Sequence, residues 1–282
     1  MIVKKFLATF LVFLVAVLLV ACNSNSSEKS KADSTSSESK EIKIGATAGP
    51  YSDMVKKAIK PGLEEKGYKV EIVEFSDYIQ PNKALNEGSI QANLFQHTIY
   101  LENFEKENNM DLTALITVPT APMGIYSNKY KSLDEVEDGA TITIPNDPTN
   151  AARAFNTLQD EGLIKIDPNA DPLKVSEKDI IENPKNLKFQ PLEAGQLPRS
   201  VDSADLAAVP GNYALAANMN LLDALALENM LDQYRNVVAV KAEDEDSQLA
   251  KDLIEVVQSE EFEKVIDAEF EGFGKPEWMK NR

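Results

Sequence analysis

The sequence predicts an α/β protein built from two lobes with a ligand cleft between them. Segments that alternate apolar and polar residues are followed repeatedly by segments with the helical period. The connections between consecutive strands are long enough to hold crossover helices, which favours largely parallel sheets. The strand–helix alternation occurs in two runs, and we expect the last segments to return to the first run. A small-molecule site would then lie between the two lobes.

The N-terminal residues predict export and lipid anchoring. Lys4 and Lys5 lie near the start of the chain, and residues 6–20 are apolar except for one threonine. This pattern is typical of a secretory signal and is short for a membrane span. The Leu-Val-Ala-Cys at 19–22 resembles the lipobox of bacterial lipoproteins. We therefore expect a signal peptide over residues 1–21 and a diacylglyceryl anchor on Cys22, on the extracytoplasmic face of the cell membrane. The alternative is an uncleaved signal anchor that ends at a cysteine.

A serine-rich segment follows the predicted anchor. Eight of the eighteen residues from 23 to 40 are serine, and none is a large apolar residue. Such a composition buries too little surface to offset the entropy of ordering the chain. Residues 22–40 are therefore predicted to be a flexible tether with a reach of roughly 25 Å.

The first lobe is predicted over residues 41–124, with residues 237–282 returning to it. The first helix carries an apolar stripe and is stopped by Gly67. In chain order the predicted elements are a strand at 41–47, a helix at 52–66, a strand at 68–75, a helix at 77–88, a strand ending at His97, a helix from Thr98, a strand at 111–118, and, on the return, a strand at 237–240 and one or two helices within 247–270.

The second lobe is predicted over residues 125–236. It repeats the same alternation after an exposed turn at 128–131. Its predicted strands are 122–127, which leads into the lobe, 141–145, 187–191 and 206–209, and its predicted helices are 151–161, 195–203 and 211–218.

Composition excludes several classes of function. The 282 residues carry 46 acidic and 29 basic side chains, for a net charge of −17, so we expect no nucleic-acid partner, because phosphate neutralisation dominates such binding. One cysteine and one histidine cannot form an intrachain disulfide or a His/Cys zinc site. No nucleotide-binding glycine motif or nucleophile elbow occurs. We predict no metal, no cofactor, no catalytic residue and no enzyme; an anchored hydrolase is the disfavoured alternative.

The only histidine, His97, marks the strongest candidate site. It follows an apolar run at a predicted strand-to-helix turn, between Phe95 and Tyr100. In open α/β sheets ligands bind beyond the carboxyl ends of strands, so these three side chains are candidates to line a pocket. The alternative is that the two aromatic residues belong to the core and that His97 caps a loop.

Arg153 is the candidate carboxylate clamp. It is one of four arginines and lies near the start of a predicted helix that follows the strand 141–145. An arginine beside a helix N-terminus is suited to bind a carboxylate. The alternative is a surface arginine paired with Asp147 or Asp160, and Arg199 and Arg235 are predicted to be surface residues.

Two asparagines and one more aromatic residue complete the candidate set. Asn212 and Asn236 lie at predicted strand ends, where an amide presents both a donor and an acceptor to an amino acid. Tyr78, together with Phe95 and Tyr100, forms a candidate aromatic wall, which favours a thioether. The alternative is that these rings are core residues.

The segments together resemble the NlpA family, the methionine-binding lipoproteins of ABC importers, over essentially the whole chain. The resemblance rests on the lipobox and on the motifs IKIGATAGPYSDM, FSDYIQPNKALNEGSIQANLFQHTIYL, PMGIYS, NAARA and GNYALA. It implies a type II-like periplasmic-binding-protein fold and a monomer that binds methionine and delivers it to a membrane permease driven by an ATPase.

The resemblance also implies roles for individual residues. The side chains at the first lobe's ligand wall would be Tyr78, Phe95, His97 and Tyr100, with Arg153 as the carboxylate clamp and Asn212 and Asn236 as ligand asparagines. The sequence departs from the family pattern at Gln91, at Pro210 and at Thr120-Ala121. Two alternatives stay open: another apolar amino acid or a methionine-containing dipeptide as the ligand, and a surface adhesin or host-interaction lipoprotein.

Overall fold

Two five-stranded sheets organise the part of the chain that the structure describes. The structure is a computed structural model and describes residues 40–281. The predicted signal peptide, Cys22 and the tether up to residue 39 lie outside the described residues. In chain order the strands are β1 (Lys40–Thr47), β2 (Tyr68–Phe75), β3 (Ala92–His97), β4 (Leu112–Thr117), β5 (Gly124–Tyr126), β6 (Thr141–Pro145), β7 (Lys165–Ile166), β8 (Ile180–Glu182), β9 (Lys188–Leu192), β10 (Leu206–Val209), β11 (Ala226–Leu227) and β12 (Asn236–Lys241).

Helices cover both sheets. They are α1 (Pro50–Met54), α2 (Lys60–Glu65), α3 (Gln80–Asn86), α4 (Thr98–Asn108), α5 (Pro148–Asp160), α6 (Leu197–Ser200), α7 (Gly211–Ala216), α8 (Gln248–Val257), α9 (Glu260–Glu269) and α10 (Glu277–Lys280). Among the described residues, no helix combines the length and the apolar character needed to cross a bilayer.

Each sheet defines one lobe, and the chain passes between the lobes twice. The first sheet has the strand order β2-β1-β3-β12-β4, and the second has the order β11-β5-β10-β6-β9. The last long strand, β12, therefore returns to the first sheet and inserts between β3 and β4. The predicted two-lobed α/β fold is confirmed.

The expectation of largely parallel sheets is only partly right, because both sheets are mixed. In the first sheet β1 is parallel to β2 and β3, whereas β12 is antiparallel to its neighbours. In the second sheet β10, β6 and β9 are parallel, whereas β5 is antiparallel to β10 and β11. The reason is the path of the chain between the lobes. Strands β5 and β12 each enter their sheet from the other lobe, so they start at the cleft, where the parallel strands end.

The first predicted helix is interrupted. Residues 50–65 are helical, but a π-helical turn, Val55–Ile59, separates α1 from α2. Pro61 follows this turn, and a proline cannot donate to the helical ladder. Gly67 ends the segment with a positive φ of 88°, as a C-terminal glycine does.

Two other predicted helices are shorter than expected. Helix α3 begins only at Gln80, because the Asp77 carboxylate accepts from the N–H groups of Ile79 and Gln80, at 2.7 and 2.8 Å, and holds a turn there. The segment predicted as a helix at 195–203 is a 3₁₀ turn followed by the single turn of α6. Within 247–270 there are two helices, each N-capped by a serine.

The cores place the cleft between the two sheets. One apolar cluster packs against the first sheet and a second against the second sheet. A third cluster spans both lobes and is rich in aromatic residues, including Tyr78, Phe95 and Tyr100 from the first lobe and Tyr126 and Tyr213 from the second. All six residues of β3 are buried, so its carboxyl end delivers His97 into the interior between the lobes.

Candidate functional site

His97 is both a cap and a cavity residue. It is the last residue of β3 and the N-cap of α4, where its Nδ1 accepts from the backbone N–H of Tyr100 at 3.1 Å. Because Nδ1 accepts, the proton lies on Nε2, which donates to Oδ1 of Asn150 in the second lobe at 3.3 Å. Burial, together with the positive charge of Arg153, holds the pKa of His97 well below its ordinary value. The ring is therefore neutral at physiological pH.

The predicted aromatic wall is present. The ring centroids of Tyr78, Phe95 and Tyr100 lie 5.8 to 6.0 Å from one another. The Tyr100 hydroxyl donates to the backbone carbonyl of Tyr78 at 3.0 Å, which fixes one ring against the other. The Tyr78 hydroxyl reaches across the cleft and donates to Oδ1 of Asn212 at 2.7 Å. The same rings belong to the aromatic core cluster, so the core and pocket interpretations both hold.

Arg153 is buried, which rules out the alternative of a surface arginine. Its guanidinium does not pair with Asp147 or Asp160; Nε donates to Oε2 of Glu228 at 2.9 Å, and Nη2 donates to Oε1 of the same carboxylate. Nη1 donates to Oδ1 of Asn150 at 2.9 Å. Burial lowers the pKa of Arg153, but the charge and hydrogen bonds of Glu228 more than offset this and leave that pKa raised.

Helix α5 begins at the cleft and positions Arg153 and Asn150. Asp147 is its N-cap and accepts from the backbone N–H of Asn150 at 2.9 Å. The same carboxylate accepts from Nδ2 of Asn150 at 3.1 Å, which leaves Oδ1 of Asn150 facing His97 and Arg153. Asp147 thus orders the helix end rather than pairing with the arginine.

The two predicted asparagines lie at the ends of α7 and β12 that meet at the cleft. Asn212 lies in the first turn of α7, and its Nδ2 is buried without a hydrogen-bond partner among residues 40–281. Asn236 opens β12 directly opposite His97 in the sheet register. Its backbone N–H donates to Thr120 Oγ1 at 2.8 Å and its carbonyl accepts from Val118, so its side chain is held at the end of the strand.

A small cavity of about 10 Å³, roughly the space of one water molecule, lies where these elements meet. All seven predicted site residues line it. Sequence reasoning did not assign six further lining residues, which are Tyr51, Gln96, Thr120, Ala121, Asn150 and Gly211. A larger but open groove runs along the outer edge of the first sheet; it is lined largely by lysine and glutamate side chains and lies away from this cluster.

Some of the missed residues had a sequence signal and others had none. Gln96 lies between two predicted site residues. A β-carbon at Gly211 would lie only 2.3 Å from the carbonyl oxygen of Pro122, so only glycine fits there.

Arg235, predicted to lie at the surface, is buried and donates to the carbonyl of Gly274 at 2.8 Å. Arg199 is exposed, as predicted.

Two lobes around a buried cavity that combines an arginine, amides and aromatic rings are typical of the class of substrate-binding proteins. Residues 42–278 match the family described as NlpA lipoprotein. The D-methionine-binding lipoprotein MetQ of Salmonella typhi is 38% identical to this chain over 240 residues, which cover 84% of this chain and 88% of that relative.

Solved structures agree with this assignment. A nutrient binding protein from Burkholderia cenocepacia bound to methionine is 40% identical, with a TM-score of 0.78, and the match covers 82% of this chain and 97% of that one. A periplasmic ABC-transporter substrate-binding protein from Coxiella burnetii is 35% identical, with a TM-score of 0.78, over 83% of this chain and 99% of that one. The chain belongs to the NlpA lipoprotein family of ABC-transporter substrate-binding proteins, which are not enzymes.

Proposed function

We propose that this chain binds free methionine in the cavity between its lobes and delivers it to the permease and ATPase of an ABC importer. The observation that carries the proposal is the unpartnered Nδ2 of Asn212, which is buried in the wall of a cavity that also holds Arg153. A buried donor without a partner is costly, and a ligand carboxylate would satisfy it. The names of the methionine-binding relatives support the same ligand.

The cavity offers a complementary group for each part of the amino acid. The carboxylate would accept from Arg153 and from Nδ2 of Asn212, and the ammonium group would donate to the side-chain oxygen of Asn236. The thioether would lie among the rings of the aromatic wall, where each sulfur–aromatic contact contributes about 0.3–1.5 kcal/mol. The neutral His97 would add no repulsion toward the ammonium group.

Binding and delivery both require the lobes to move apart, because the cavity of this structure is too small to hold an amino acid. Cross-lobe hydrogen bonds from Tyr78 to Asn212 and from His97 to Asn150 join the two walls of the cavity. Each such bond contributes only about 1 kcal/mol, so the ligand's own contacts with both lobes would decide the closed population. The segments that connect β4 to β5 and β11 to β12 are the places for the hinge.

Membrane attachment completes the proposal. The lipobox-like sequence at Cys22 and the lipoprotein family support a diacylglyceryl anchor on the extracytoplasmic face of the cell membrane. The serine-rich segment after it would let a monomeric binding domain reach its permease.

Native mass spectrometry of the purified protein, followed by calorimetry after unfolding and refolding to remove bound ligand, tests the proposal. We expect methionine to co-purify, and L- or D-methionine to bind more tightly than leucine, glutamine or glycyl-methionine. Tighter binding of leucine or of glycyl-methionine would replace the proposed ligand. No binding of any amino acid, together with binding to host proteins, would favour an adhesin instead.

A further inference from the structure

Glu228 lies directly behind Arg153. Its side chain is 5% exposed, and its two oxygens accept from Nε and Nη2 of Arg153 and from the backbone N–H of Met123, the last at 2.7 Å. The backbone N–H of Glu228 in turn donates to the carbonyl of Met123 at 2.9 Å. Glu228 does not itself line the cavity, so a ligand would contact Arg153 and not Glu228.

The pairing limits what Arg153 can offer. A guanidinium has five N–H donors; two of them donate to Glu228 and one to Asn150. Two donors remain for a ligand carboxylate, and their direction is fixed by the carboxylate behind them. Glu228 therefore orients the arginine as well as balancing its charge.

The charge balance extends to the whole cavity. Among the described side chains that line it, Arg153 is the one with a formal charge, and Glu228 cancels that charge. His97 is neutral because burial and the nearby Arg153 lower its pKa. Asp147 lies nearby, but it is partly exposed at the N-terminus of α5, where solvent and the helix end compensate its charge.

We propose that Glu228 is a positioning residue that sets the net charge of the cavity to zero, so that the site selects a zwitterion over a ligand with a carboxylate alone. This inference rests on the proposed function. An unpaired charge is costly to remove from water. A zwitterionic amino acid leaves the buried total at zero, whereas a monoanion leaves one uncompensated negative charge.

The test compares methionine with 2-hydroxy-4-(methylthio)butanoate, in which a hydroxyl replaces the ammonium group. We expect the wild-type protein to bind methionine at least about tenfold more tightly by calorimetry. Glu228→Gln leaves Arg153 uncompensated, so the affinity ratio of methionine to the hydroxy acid should fall by at least about tenfold.

Control variants separate charge from packing. Glu228→Asp keeps the charge, so its ratio should stay near that of the wild type even if both affinities drop. Glu193→Gln removes a carboxylate at the mouth of the cleft, beside Tyr78 and Ala194, and should also leave the ratio unchanged. If Glu228→Gln does not fold, Glu228→Ala makes the same test, because the smaller side chain lets water enter beside Arg153. Added acetate should then replace the missing carboxylate and restore the wild-type affinity ratio.

Three results would overturn the inference. They are an unchanged ratio in a folded Glu228→Gln or Glu228→Ala protein, the same fall in ratio for Glu193→Gln, and equal affinities of the wild-type protein for the two ligands. Failure of the wild-type protein to bind methionine at all would instead remove the proposed function, which the first titration detects before any variant is made.

Discussion

At His97 the two ring nitrogens serve different lobes. Nδ1 accepts from the backbone of Tyr100 and ends the first-lobe strand, whereas Nε2 donates to Asn150 across the cleft. Protonation would turn Nδ1 from an acceptor into a donor and would place a second positive charge beside Arg153. The local geometry thus explains why the buried ring is held neutral.

This neutrality predicts a pH dependence of stability. In the unfolded chain His97 takes up a proton near pH 6.5, but in the folded protein its pKa is lowered by burial and by Arg153. Below about pH 6.5 the unfolded state therefore binds more protons, and the free energy of unfolding falls by up to about 1.4 kcal/mol per pH unit from this group.

Urea unfolding of the wild type and of His97→Gln between pH 5.5 and 8 measures the effect. Groups shared by both proteins cancel in the comparison, so the wild type should lose stability relative to the variant as the pH falls. Parallel curves would show that His97 has the same pKa in the folded and the unfolded protein.

At the scale of elements, the N-terminus of α5 supports the site. The Asp147 cap holds Asn150 through its backbone and side chain, and Asn150 in turn accepts from His97 and Arg153. A helix cap, which is ordinarily a stability feature, therefore orients two groups on opposite walls of the cavity.

Asp147→Ala should lower both stability and affinity. Loss of an N-cap costs about 1 kcal/mol, which corresponds to a fall in Tm of about 2–4 °C for a protein of this size. Methionine affinity should also drop, because Asn150 loses its support. Thermal unfolding and calorimetry measure the two effects.

Ser259→Ala is the matched control. Ser259 is the N-cap of α9 and accepts from the N–H of Phe262 at 3.1 Å, but it does not line the cavity. It should lower Tm by a similar amount without changing affinity. Equal affinities of Asp147→Ala and Ser259→Ala would mean that the cap does not position the site.

On the scale of the whole molecule, the two lobes also contact each other outside the cavity. The Tyr213 hydroxyl in the second lobe donates to the carbonyl of Ser76 in the first lobe at 3.0 Å. Its ring centroid also lies 5.0 Å from that of Tyr78. Since Tyr213 does not line the cavity, its hydroxyl can stabilise the closed state without touching the ligand.

Tyr213→Phe should therefore weaken methionine binding by about fivefold, the equivalent of one hydrogen bond of about 1 kcal/mol, chiefly through faster dissociation. Stopped-flow kinetics measures this. Tyr130→Phe is the control, because the Tyr130 hydroxyl contacts Glu137 within the second lobe. A dissociation rate that is the same for Tyr213→Phe and the wild type would exclude this contact from closure.

The sequence by itself determined the alternation of strands and helices, the two-lobed α/β class and the family. It also identified seven residues that line one cavity, because strand-to-helix turns are local features and the motifs around them are specific. Local periodicity could not determine that β5 and β12 run against their neighbours, since their direction follows from the path between lobes.

Only the tertiary structure decided how the site is balanced. Arg153 and Glu228 lie 75 residues apart in the chain, and no pattern around Glu228 marks it as a partner. Asn150 was not assigned although it opens the NAARA motif, and Arg235 was wrongly predicted to lie at the surface, because their contacts with His97 and Gly274 form where distant segments meet. The sequence determines which groups are available at each turn, whereas the crossing of the chain determines which charges and hydrogen bonds they share.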